Sequence, residues 1–334
     1  MMKILIVGPS WIGDTLLAQP LFTLLHRKHP GLALDVVAPA WTMPVVRRMP
    51  EVRRAIPSPF EHGVLQLRER RELGRELRSE GYDQAIVLPN TLKSALVPLF
   101  ARIPRRTGYR GEMRWGALND VRLLDEQALP QMAQRYAALA FDGGEALPAD
   151  LPAPHLTVDE SARVATLSAL GLAATRVVAL CPGAEYGPAK RWPPAYYAEL
   201  ARALTASGDA VWLIGSARDA DIAQDIVRLS GGACVNLCGR TTLDQAVELL
   251  ASARLAVAND SGLMHVAAAV GTPLIAIYGS STPVFTPPMS PRAHIVKLDI
   301  ECSPCFERTC PLGHFNCMMQ LKPERVLDRV KALA

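Results

Sequence analysis

Short apolar runs alternate with amphipathic stretches along most of the chain. The runs lie at residues 3–7, 34–38, 84–88, 176–180, 210–214, 255–258 and 274–278. Near-continuous apolar runs of this length are typical of strands buried in parallel sheets. Leucines at helical spacing follow the first run, and residues 194–207 and 242–253 also carry a helical pattern. The alternation predicts α/β domains in which parallel strands are joined by helical crossovers.

A proline-rich stretch divides this pattern into two similar halves. Residues 147–154 hold three prolines, which the interior of a helix or of a central strand would not accept. We therefore predict two doubly wound domains, at residues 1–150 and 151–322, with ligands beyond the carboxyl ends of the strands. Residues 323–334 are predicted to form a final helix that packs back on the first domain. Residues 61–80, rich in Arg and Glu, are predicted to form a surface helix.

Composition excludes several classes of protein. The 334 residues are 49% hydrophobic and 20% charged, which does not fit a disordered, collagen-like or disulfide-scaffold chain. No apolar run approaches the ~20 residues that a membrane-spanning helix needs. The first residues also lack the apolar region of a secretory signal. We therefore expect a cytoplasmic protein.

The net charge of +4 lies entirely in the first half of the chain. Residues 1–150 hold 20 Lys and Arg against 16 Asp and Glu, whereas the remaining residues hold equal numbers. The excess is sharpest in a basic patch formed by Arg102, Arg105, Arg106, Arg110, Arg114 and Arg122. Such a patch suits a phosphorylated or carboxylated partner, or an anionic membrane surface. A solvated basic face is the alternative.

The loop at residues 182–193 combines flexible backbone with cations. Gly183 and Gly187 lie in it, and Lys190 comes just before a predicted helix. Backbone amides, a helix dipole and a nearby ammonium group together favour a diphosphate site. An ordinary connecting loop is the alternative. Neither G-x-G-x-x-G nor G-x-x-x-x-G-K-[ST] occurs in the chain, so a dinucleotide fingerprint and a P-loop are excluded.

Two further strand-end loops carry candidate groups. Asp260, Ser261 and Gly262 come at the start of a predicted helix, with His265 one turn further along. These residues suit a phosphate or ribose contact, whereas the simpler interpretation is a helix cap and a buried core histidine. Asp14 follows the first strand, where a carboxylate could act as a general base toward a hydroxyl or could cap the next helix.

Five segments in a characteristic order give the chain a resemblance to a known family. They read KILIVGPSWIGD at residues 3–14, LPNTLKSAL at 88–96, RTGYRGEMRW at 106–115, PGAEYGPAKRWP at 182–193 and NDSGLMH at 259–265. Over nearly its whole length the chain resembles the ADP-heptose:lipopolysaccharide heptosyltransferases of type II, in glycosyltransferase family 9. The resemblance implies a GT-B architecture, in which two Rossmann-like domains face a central cleft. It implies an acceptor on the first domain and a sugar nucleotide on the second.

The resemblance also implies an activity. It is the inverting transfer of L-glycero-D-manno-heptose from ADP-heptose to the first inner-core heptose of Kdo2-lipid A, in α-1,3 linkage. This reaction belongs to lipopolysaccharide core biosynthesis and so to Gram-negative outer membrane biogenesis. The implied partners are ADP-heptose, the heptosyl-Kdo2-lipid A acceptor and the cytoplasmic face of the inner membrane, bound peripherally. No nucleic acid is expected, and no cofactor is required for catalysis.

The resemblance assigns roles residue by residue. Asp14 is the general base, and Lys190 is the cation that neutralises the departing diphosphate. Asp219 holds the ribose hydroxyls, and Thr241 lies at the adenine. The donor-binding residues are Gly183, Glu185, Asp219, Thr241, Asp260, Ser261, Gly262 and His265. The acceptor-binding residues are Asn90, Lys93, Arg110 and Arg114.

Three other functions stay open at this point. One is a type I heptosyltransferase, which would act on Kdo. Another is a nucleotide-sugar epimerase or dehydrogenase, which would need the glycine fingerprint that this chain lacks. The third is a non-catalytic module that binds a nucleotide or a metal.

Four cysteines lie within sixteen residues near the end of the sequence. Cys302, Cys305, Cys310 and Cys317 give the spacing C-x2-C-x4-C-x6-C, with His314 inside it. Four thiols can bind zinc tetrahedrally, although this is not the spacing of a standard zinc ribbon or finger. A structural zinc ion, reduced thiols that only pack, and an iron–sulfur or redox site all stay open. Disulfides are not expected in a cytoplasmic chain.

Overall fold

The structure is a computed structural model that describes residues 1–61, 63–143 and 145–333. The chain divides into two units, Met1–His155 and Leu156–Ala334. The division predicted from the sequence lies between residues 150 and 151, within the proline-rich stretch.

The first unit is built on a parallel sheet of six strands in the order β3-β2-β1-β4-β5-β6. The strands are β1 (Lys3–Val7), β2 (Ala33–Pro39), β3 (Arg54–Ser58), β4 (Gln84–Val87), β5 (Arg105–Tyr109) and β6 (Asp120–Arg122). Ile4, Leu5 and Ile6 are fully buried, because the central strand β1 is covered on both faces. The strands predicted at residues 3–7, 34–38 and 84–88 are confirmed.

The helices of the first unit are α1 (Ile12–Leu17), α2 (Gln19–Lys28), α3 (Met43–Val46), α4 (Leu67–Arg78), α5 (Leu92–Phe100) and α6 (Met132–Ala137). The helix predicted over residues 61–80 is shorter than expected. Gln66 adopts a left-handed conformation immediately before α4, so the helix cannot extend further back. Leu73 and Leu77 pack into the core, whereas Leu65 is exposed. His62 lies outside the described residues.

The second unit repeats the arrangement, with the strand order β12-β11-β10-β7-β8-β9. The strands are β7 (Val177–Cys181), β8 (Ala210–Leu213), β9 (Val235–Asn236), β10 (Leu255–Asn259), β11 (Leu274–Ile277) and β12 (Ala293–Val296). All neighbouring strands are parallel. The four apolar runs predicted as strands in this half are β7, β8, β10 and β11.

The helices of the second unit are α7 (Glu160–Leu170), α8 (Pro194–Ala206), α9 (Ala220–Ser230), α10 (Leu243–Ser252), α11 (Gly262–Ala269), α12 (Asn316–Met319) and α13 (Pro323–Ala332). Helix α13 buries Val326 and Val330 in the core of this unit and packs against α8, β11 and β12. Its predicted contact with the first domain stays a prediction. Ala334 lies outside the described residues. Every helix among the described residues is too short or too polar to cross a bilayer.

In each unit the chain builds one side of the sheet and then crosses to the other. The crossover leaves β1 beside β4 in the first unit and β7 beside β10 in the second. Loops that follow such a pair of strands diverge and leave a crevice, which is where open α/β sheets bind ligands. In the second unit these loops carry Lys190 and Asp260. In the first unit they lead to Asp14 and Asn90.

Candidate active site

An ion pair joins the loops that follow β7 and β10. Lys190 Nζ lies 2.5 Å from Oδ2 of Asp260. The hydroxyl of Ser281, which follows β11, donates a hydrogen bond to the same oxygen at 2.5 Å. The Lys190 and Asp260 side chains are only 18% and 5% exposed, so water screens their charges weakly. The crevice of the second sheet therefore holds a well-positioned ammonium group.

A single amide side chain fixes the loops around that ammonium group. Asn259 is fully buried at the end of β10. Its Oδ1 accepts hydrogen bonds from the backbone amide of Trp192 at 3.2 Å and from the hydroxyl of Tyr197 at 3.0 Å. Its Nδ2 donates to the carbonyl oxygen of Pro182 at 2.7 Å. Asn259 thus ties both ends of the loop that carries Lys190 to the strand that carries Asp260.

The helix that follows Asp260 offers free backbone donors. Ser261 occupies the N-cap position of α11 in an extended conformation, and its side chain makes no capping hydrogen bond. The first amides of a helix have no partner within the helix, and the helix dipole adds positive potential there. The amides of Ser261 and Gly262 can therefore bind a phosphate group beside Lys190.

His265 lies one turn into α11 and is buried. Burial first, and then the charge of Lys190, lowers the pKa of His265 to about 4, although Asp260 acts in the opposite direction. The imidazole is therefore neutral near pH 7. It can offer a hydrogen bond to a ligand but not a charge.

Gly183 and Asp219 are in direct contact. A Cβ atom at position 183 would come within 2.5 Å of the Asp219 carboxylate, so only glycine fits there. The Oδ2 atom of Asp219 accepts hydrogen bonds from the amide and hydroxyl of Ser216, at 2.9 and 2.8 Å. The structure thus places the predicted ribose-binding carboxylate, mostly buried, at the end of β8 and against the loop that follows β7.

The two remaining donor candidates lie at the rim of this region. Glu185 is exposed and forms an ion pair with Arg218, an arrangement that contributes little to stability at a protein surface. Thr241 is half-buried just before α10, and its hydroxyl lies 3.5 Å from the carbonyl oxygen of Leu237. The structure therefore gathers the predicted donor residues of the second unit at the carboxyl edge of one sheet, on the loops that follow the strands and in the first turn of α11.

Three residues of this region were missed by sequence reasoning: Asn259, Ser281 and Tyr186. Lys190 Nζ lies 5.2 Å from the centre of the Tyr186 ring, within cation–π range. Ser281 could have been found, because it follows β11 just as Asp260 follows β10. Asn259 carried no separate signal, since its role depends on three partners that are distant in sequence.

In the first unit, Asp14 lies in the first turn of α1 and is half-buried. The carboxylate of Asp14 affects the pKa of Tyr136, which lies in α6. Burial first, and then the negative charge of Asp14, raises the pKa of Tyr136 well above its ordinary value. Asp14 therefore lies near the phenol of Tyr136, close to the carboxyl end of β1.

Arg114, which is predicted to bind the acceptor, is buried in the first unit. It is only 2% exposed. Its guanidinium donates to the carbonyl oxygen of Pro89 at 2.6 Å, to Asn90 Oδ1 at 3.0 Å and to the carbonyl oxygen of Tyr109. A buried guanidinium needs such partners, and here they come from the loop after β4 and from the end of β5. The hydrogen bond to Asn90 Oδ1 helps to hold that side chain in place, and the contact of Arg114 with the acceptor stays a prediction.

Most of the predicted basic patch is also engaged within the protein. Arg105 and Arg122 form ion pairs with Asp120 and Asp142. Arg106 donates to the carbonyl oxygens of Ala117, Ile103 and Gly116. Within the described residues, the guanidinium groups of Arg102 and Arg110 have no such partner. Lys93 is half-buried at the start of α5.

The cysteine cluster lies in the second unit. Cys302, Cys305, Cys310 and Cys317 line one small cavity together with His314. All seven cysteines of the chain are free thiols in the structure. Hydrogen bonds from backbone amides, above all that of Phe315, lower the pKa of Cys310. Burial raises the pKa of Cys317, and the three other cysteines of the cluster act in the same direction.

The matches to known proteins extend over both units. The family model described as glycosyltransferase family 9 (heptosyltransferase) matches residues 70–316. Lipopolysaccharide heptosyltransferase 2 of Escherichia coli K12 is 48% identical over 342 residues, covering 99% of this chain and 98% of the relative. The solved structure of E. coli ADP-heptose lps heptosyltransferase II matches with a TM-score of 0.89 at 47% identity, over 99% of this chain and 98% of that one. Lipopolysaccharide heptosyltransferase 1 of Pseudomonas aeruginosa is 27% identical over 377 residues, covering 99% of this chain and 98% of the relative.

Two doubly wound parallel sheets with polar loops at their carboxyl edges, in this order along the chain, define a glycosyltransferase of the GT-B class. The resemblance seen in the sequence is confirmed. The chain belongs to glycosyltransferase family 9, the heptosyltransferases. An epimerase, a dehydrogenase and a non-catalytic module are thereby excluded.

Proposed function

We propose that this enzyme transfers L-glycero-D-manno-heptose from ADP-heptose to the first heptose of heptosyl-Kdo2-lipid A, in lipopolysaccharide core biosynthesis. The new linkage is α-1,3 and the anomeric carbon is inverted. The observation that carries this proposal is the anion site of the second unit, where Lys190 lies beside the first amides of α11. The relatives of type 2 support the proposed acceptor over the Kdo acceptor of a type I enzyme, because they are much more similar to this chain.

The leaving group determines what the second unit does. As the bond between the anomeric carbon and the diphosphate breaks, its electron pair departs with ADP and negative charge grows on the β-phosphate. Lys190 and the amides of Ser261 and Gly262 stabilise this charge, because they are already oriented before the reaction. Neutral His265 donates or accepts a hydrogen bond there. Since these groups supply the positive potential, omission of Mg²⁺ is expected to leave the rate of transfer unchanged.

The nucleophile determines what the first unit does. The acceptor hydroxyl attacks the anomeric carbon from the face opposite the diphosphate, which inverts the configuration. Asp14 takes the proton of that hydroxyl as the new carbon–oxygen bond forms. The position of Asp14 in the first turn of α1, just beyond the carboxyl end of β1, supports this role, because open α/β sheets bind ligands at that edge.

The remaining candidate residues bind the nucleoside and diphosphate of the donor or the anionic groups of the acceptor. Asp219 accepts hydrogen bonds from the ribose hydroxyls through its other carboxylate oxygen, Oδ1, while Thr241 and Glu185 contact the nucleoside. Gly183 lets the backbone approach the diphosphate. Lys93 and Arg110 attract the carboxylates and phosphates of the acceptor, and Asn90 contacts it in the position that Arg114 holds.

A lipid acceptor requires the protein to reach a membrane surface at the cytoplasmic face. After Met1, the most exposed large apolar residues in the described part of the chain are Met113, Trp115 and Leu123, at 81%, 71% and 71%. They flank Arg110, whose amide is bonded to the carbonyl oxygen of Arg122. Exposed tryptophan beside arginine suits the interface of an anionic bilayer. Trp115→Ala is expected to weaken sedimentation with anionic vesicles, whereas Val164→Ala, an exposed change in the second unit, is not.

Release of ADP tests the proposed reaction directly. The enzyme is incubated with ADP-heptose and either heptosyl-Kdo2-lipid A or Kdo2-lipid A, and in parallel with a glucose nucleotide in place of ADP-heptose. We expect rapid release only with ADP-heptose and the heptosylated acceptor, and NMR of the product should show the α-1,3 linkage. A faster reaction with Kdo2-lipid A would favour the type I alternative. Equal rates with the glucose donor would contradict the proposed specificity.

A further inference from the structure

The segment that contains the cysteine cluster has no regular structure of its own. Residues 297–315, all of them described, form neither helix nor strand between β12 and α12. Phe306 and Phe315 have φ angles of 58° and 51°, in the left-handed region that disfavours ordinary residues. A segment of this length without secondary structure is uncommon in a folded domain unless something fixes it or it serves a function.

This segment supports the loop that carries Lys190. The amide of Ala189 donates to the carbonyl oxygen of Arg308 at 3.0 Å. The same carbonyl packs directly against Gly187, where a side chain would not fit. The hydroxyl of Tyr186 donates to the carbonyl oxygen of Phe306 at 2.6 Å. Residues 186–189, immediately before Lys190, therefore rest on Phe306 and Arg308.

The segment also holds the loop after β11, which supplies the Ser281 hydroxyl to Asp260. The amide of Phe306 donates to the carbonyl oxygen of Ser280 at 2.7 Å. The hydroxyl of Ser303 donates to the carbonyl oxygen of Gly279 at 2.6 Å. Both partners of Asp260 thus depend on the same short stretch of irregular chain.

Each of these supporting residues lies between two members of the cysteine cluster. Ser303 lies between Cys302 and Cys305, and Phe306 and Arg308 lie between Cys305 and Cys310. A ligand that bound all four thiols would therefore close two small loops, at residues 302–305 and 305–310. The backbone of these loops supports the loop that carries Lys190. The amide of Phe315 already donates to Cys310 Sγ at 3.4 Å, as outer contacts of metal-bound sulfur atoms do.

We propose that Cys302, Cys305, Cys310 and Cys317 bind one thiophilic divalent metal ion of the zinc class, and that this ion fixes the support for the Lys190 loop. Four thiolates with tetrahedral geometry are the ligand set that zinc prefers in structural sites. In the described ranges, no three metal-ligating side chains yet converge as a closed site. The thiols, which line one cavity, must therefore turn inward when they bind the ion and release their protons.

Metal content tests the first half of the proposal without any need for activity. Protein purified without chelator should contain about one equivalent of metal, measured by elemental analysis. Replacement by Co²⁺ should give the absorption bands of a tetrahedral thiolate site. Cys305→Ala should lower metal affinity at least about 100-fold. Cys234→Ala is the matched control, because Cys234 is a buried cysteine of the same unit outside the cluster.

Donor binding tests the second half, which rests on the role proposed above for Lys190. Removal of the metal with a chelator, with folding followed by circular dichroism, should weaken ADP binding at least about tenfold and lower kcat/KM by up to about 100-fold. Restoring Zn²⁺ should reverse both changes. If no metal is bound and none can be added, the cluster consists of packing thiols and the proposal is wrong. Iron with sulfide would show a cluster of another kind, and that result would also overturn it.

The two possible failures are distinguishable. If metal is bound but ADP affinity is unchanged on its removal, the metal site is confirmed, but the metal does not fix the Lys190 loop and the second half of the proposal is wrong. If Lys190→Met leaves ADP binding and turnover intact, the proposed function of Lys190 fails, whereas the metal measurements are unaffected.

Discussion

Lys190 and Asp260 share a hydrogen bond of 2.5 Å between two loops that lie seventy positions apart in the sequence. The pair is mostly buried, and Ser281 donates to the same carboxylate oxygen. The ammonium group that we propose to face the departing diphosphate is therefore held by a carboxylate of the protein. A single substitution of Lys190 would change both the stability of the fold and catalysis. A second substitution, at Asp260, can distinguish the two effects.

Lys190→Met should lower both properties. Loss of the cation leaves the buried carboxylate of Asp260 without its charged partner, which costs about 3 kcal/mol of unfolding free energy. The double variant Lys190→Met with Asp260→Asn should recover most of that stability but none of the turnover. Denaturant unfolding and ADP release measure the two effects. The exposed pair Lys297 and Asp299 is the matched control, and its neutralisation should change little. Turnover restored in the double variant would show that Lys190 has no catalytic role.

Asp14→Asn should separate chemistry from donor binding. The amide cannot accept the proton of the acceptor hydroxyl, so turnover should fall about 100-fold or more. ADP affinity, measured by calorimetry, should stay within twofold, because the anion site belongs to the second unit. Asp150→Asn, an exposed change in the first unit, controls for loss of charge. Wild-type turnover in Asp14→Asn would overturn the assignment of the base.

His265 should make stability depend on pH below neutrality. Its folded pKa of about 4 lies below the ordinary value of 6.5, so the unfolded chain binds the proton more readily. The part of the unfolding free energy that depends on a neutral His265 is therefore fully present above pH 6.5, and it is lost as the pH falls toward 4. The loss amounts to about 3 kcal/mol.

Unfolding free energies of the wild type and of His265→Gln, measured between pH 4 and 8, check this effect. The difference between the two curves should be constant above pH 6.5 and should change by that amount below it. A difference that is flat across the whole range would mean that His265 titrates normally in the folded protein.

Arg110→Ala should weaken acceptor binding. An arginine near an anionic lipid surface contributes about 1 kcal/mol, which corresponds to an increase of about fivefold in the acceptor KM. The effect should shrink as ionic strength rises, whereas the KM for ADP-heptose should not respond. Arg71→Ala, at an exposed position of α4, is the control. An equal effect of the two substitutions would indicate net charge rather than a specific contact.

The strands that could be predicted from the sequence are those covered on both faces, such as β1 and β7. The edge strands β3 and β6, and β5 beside β6, carry more polar residues, so their pairing is determined by neighbours and not by their own residues. The same limit applies to the site. Lys190 and Asp260 could be found because ligand groups gather at strand ends. The burial of Arg114 could not be predicted, because its partners lie in the loop after β4 and at the end of β5, and composition alone marks arginine as a surface residue.

Asn259 has a consequence for redesign of this enzyme. One carboxamide satisfies a carbonyl, an amide and a phenol from three parts of the second unit. Aspartate at this position would lack the donor, and glutamine would be one methylene too long to keep all three contacts. Attempts to change the sugar that the enzyme accepts should therefore vary the surrounding loops and leave position 259 untouched.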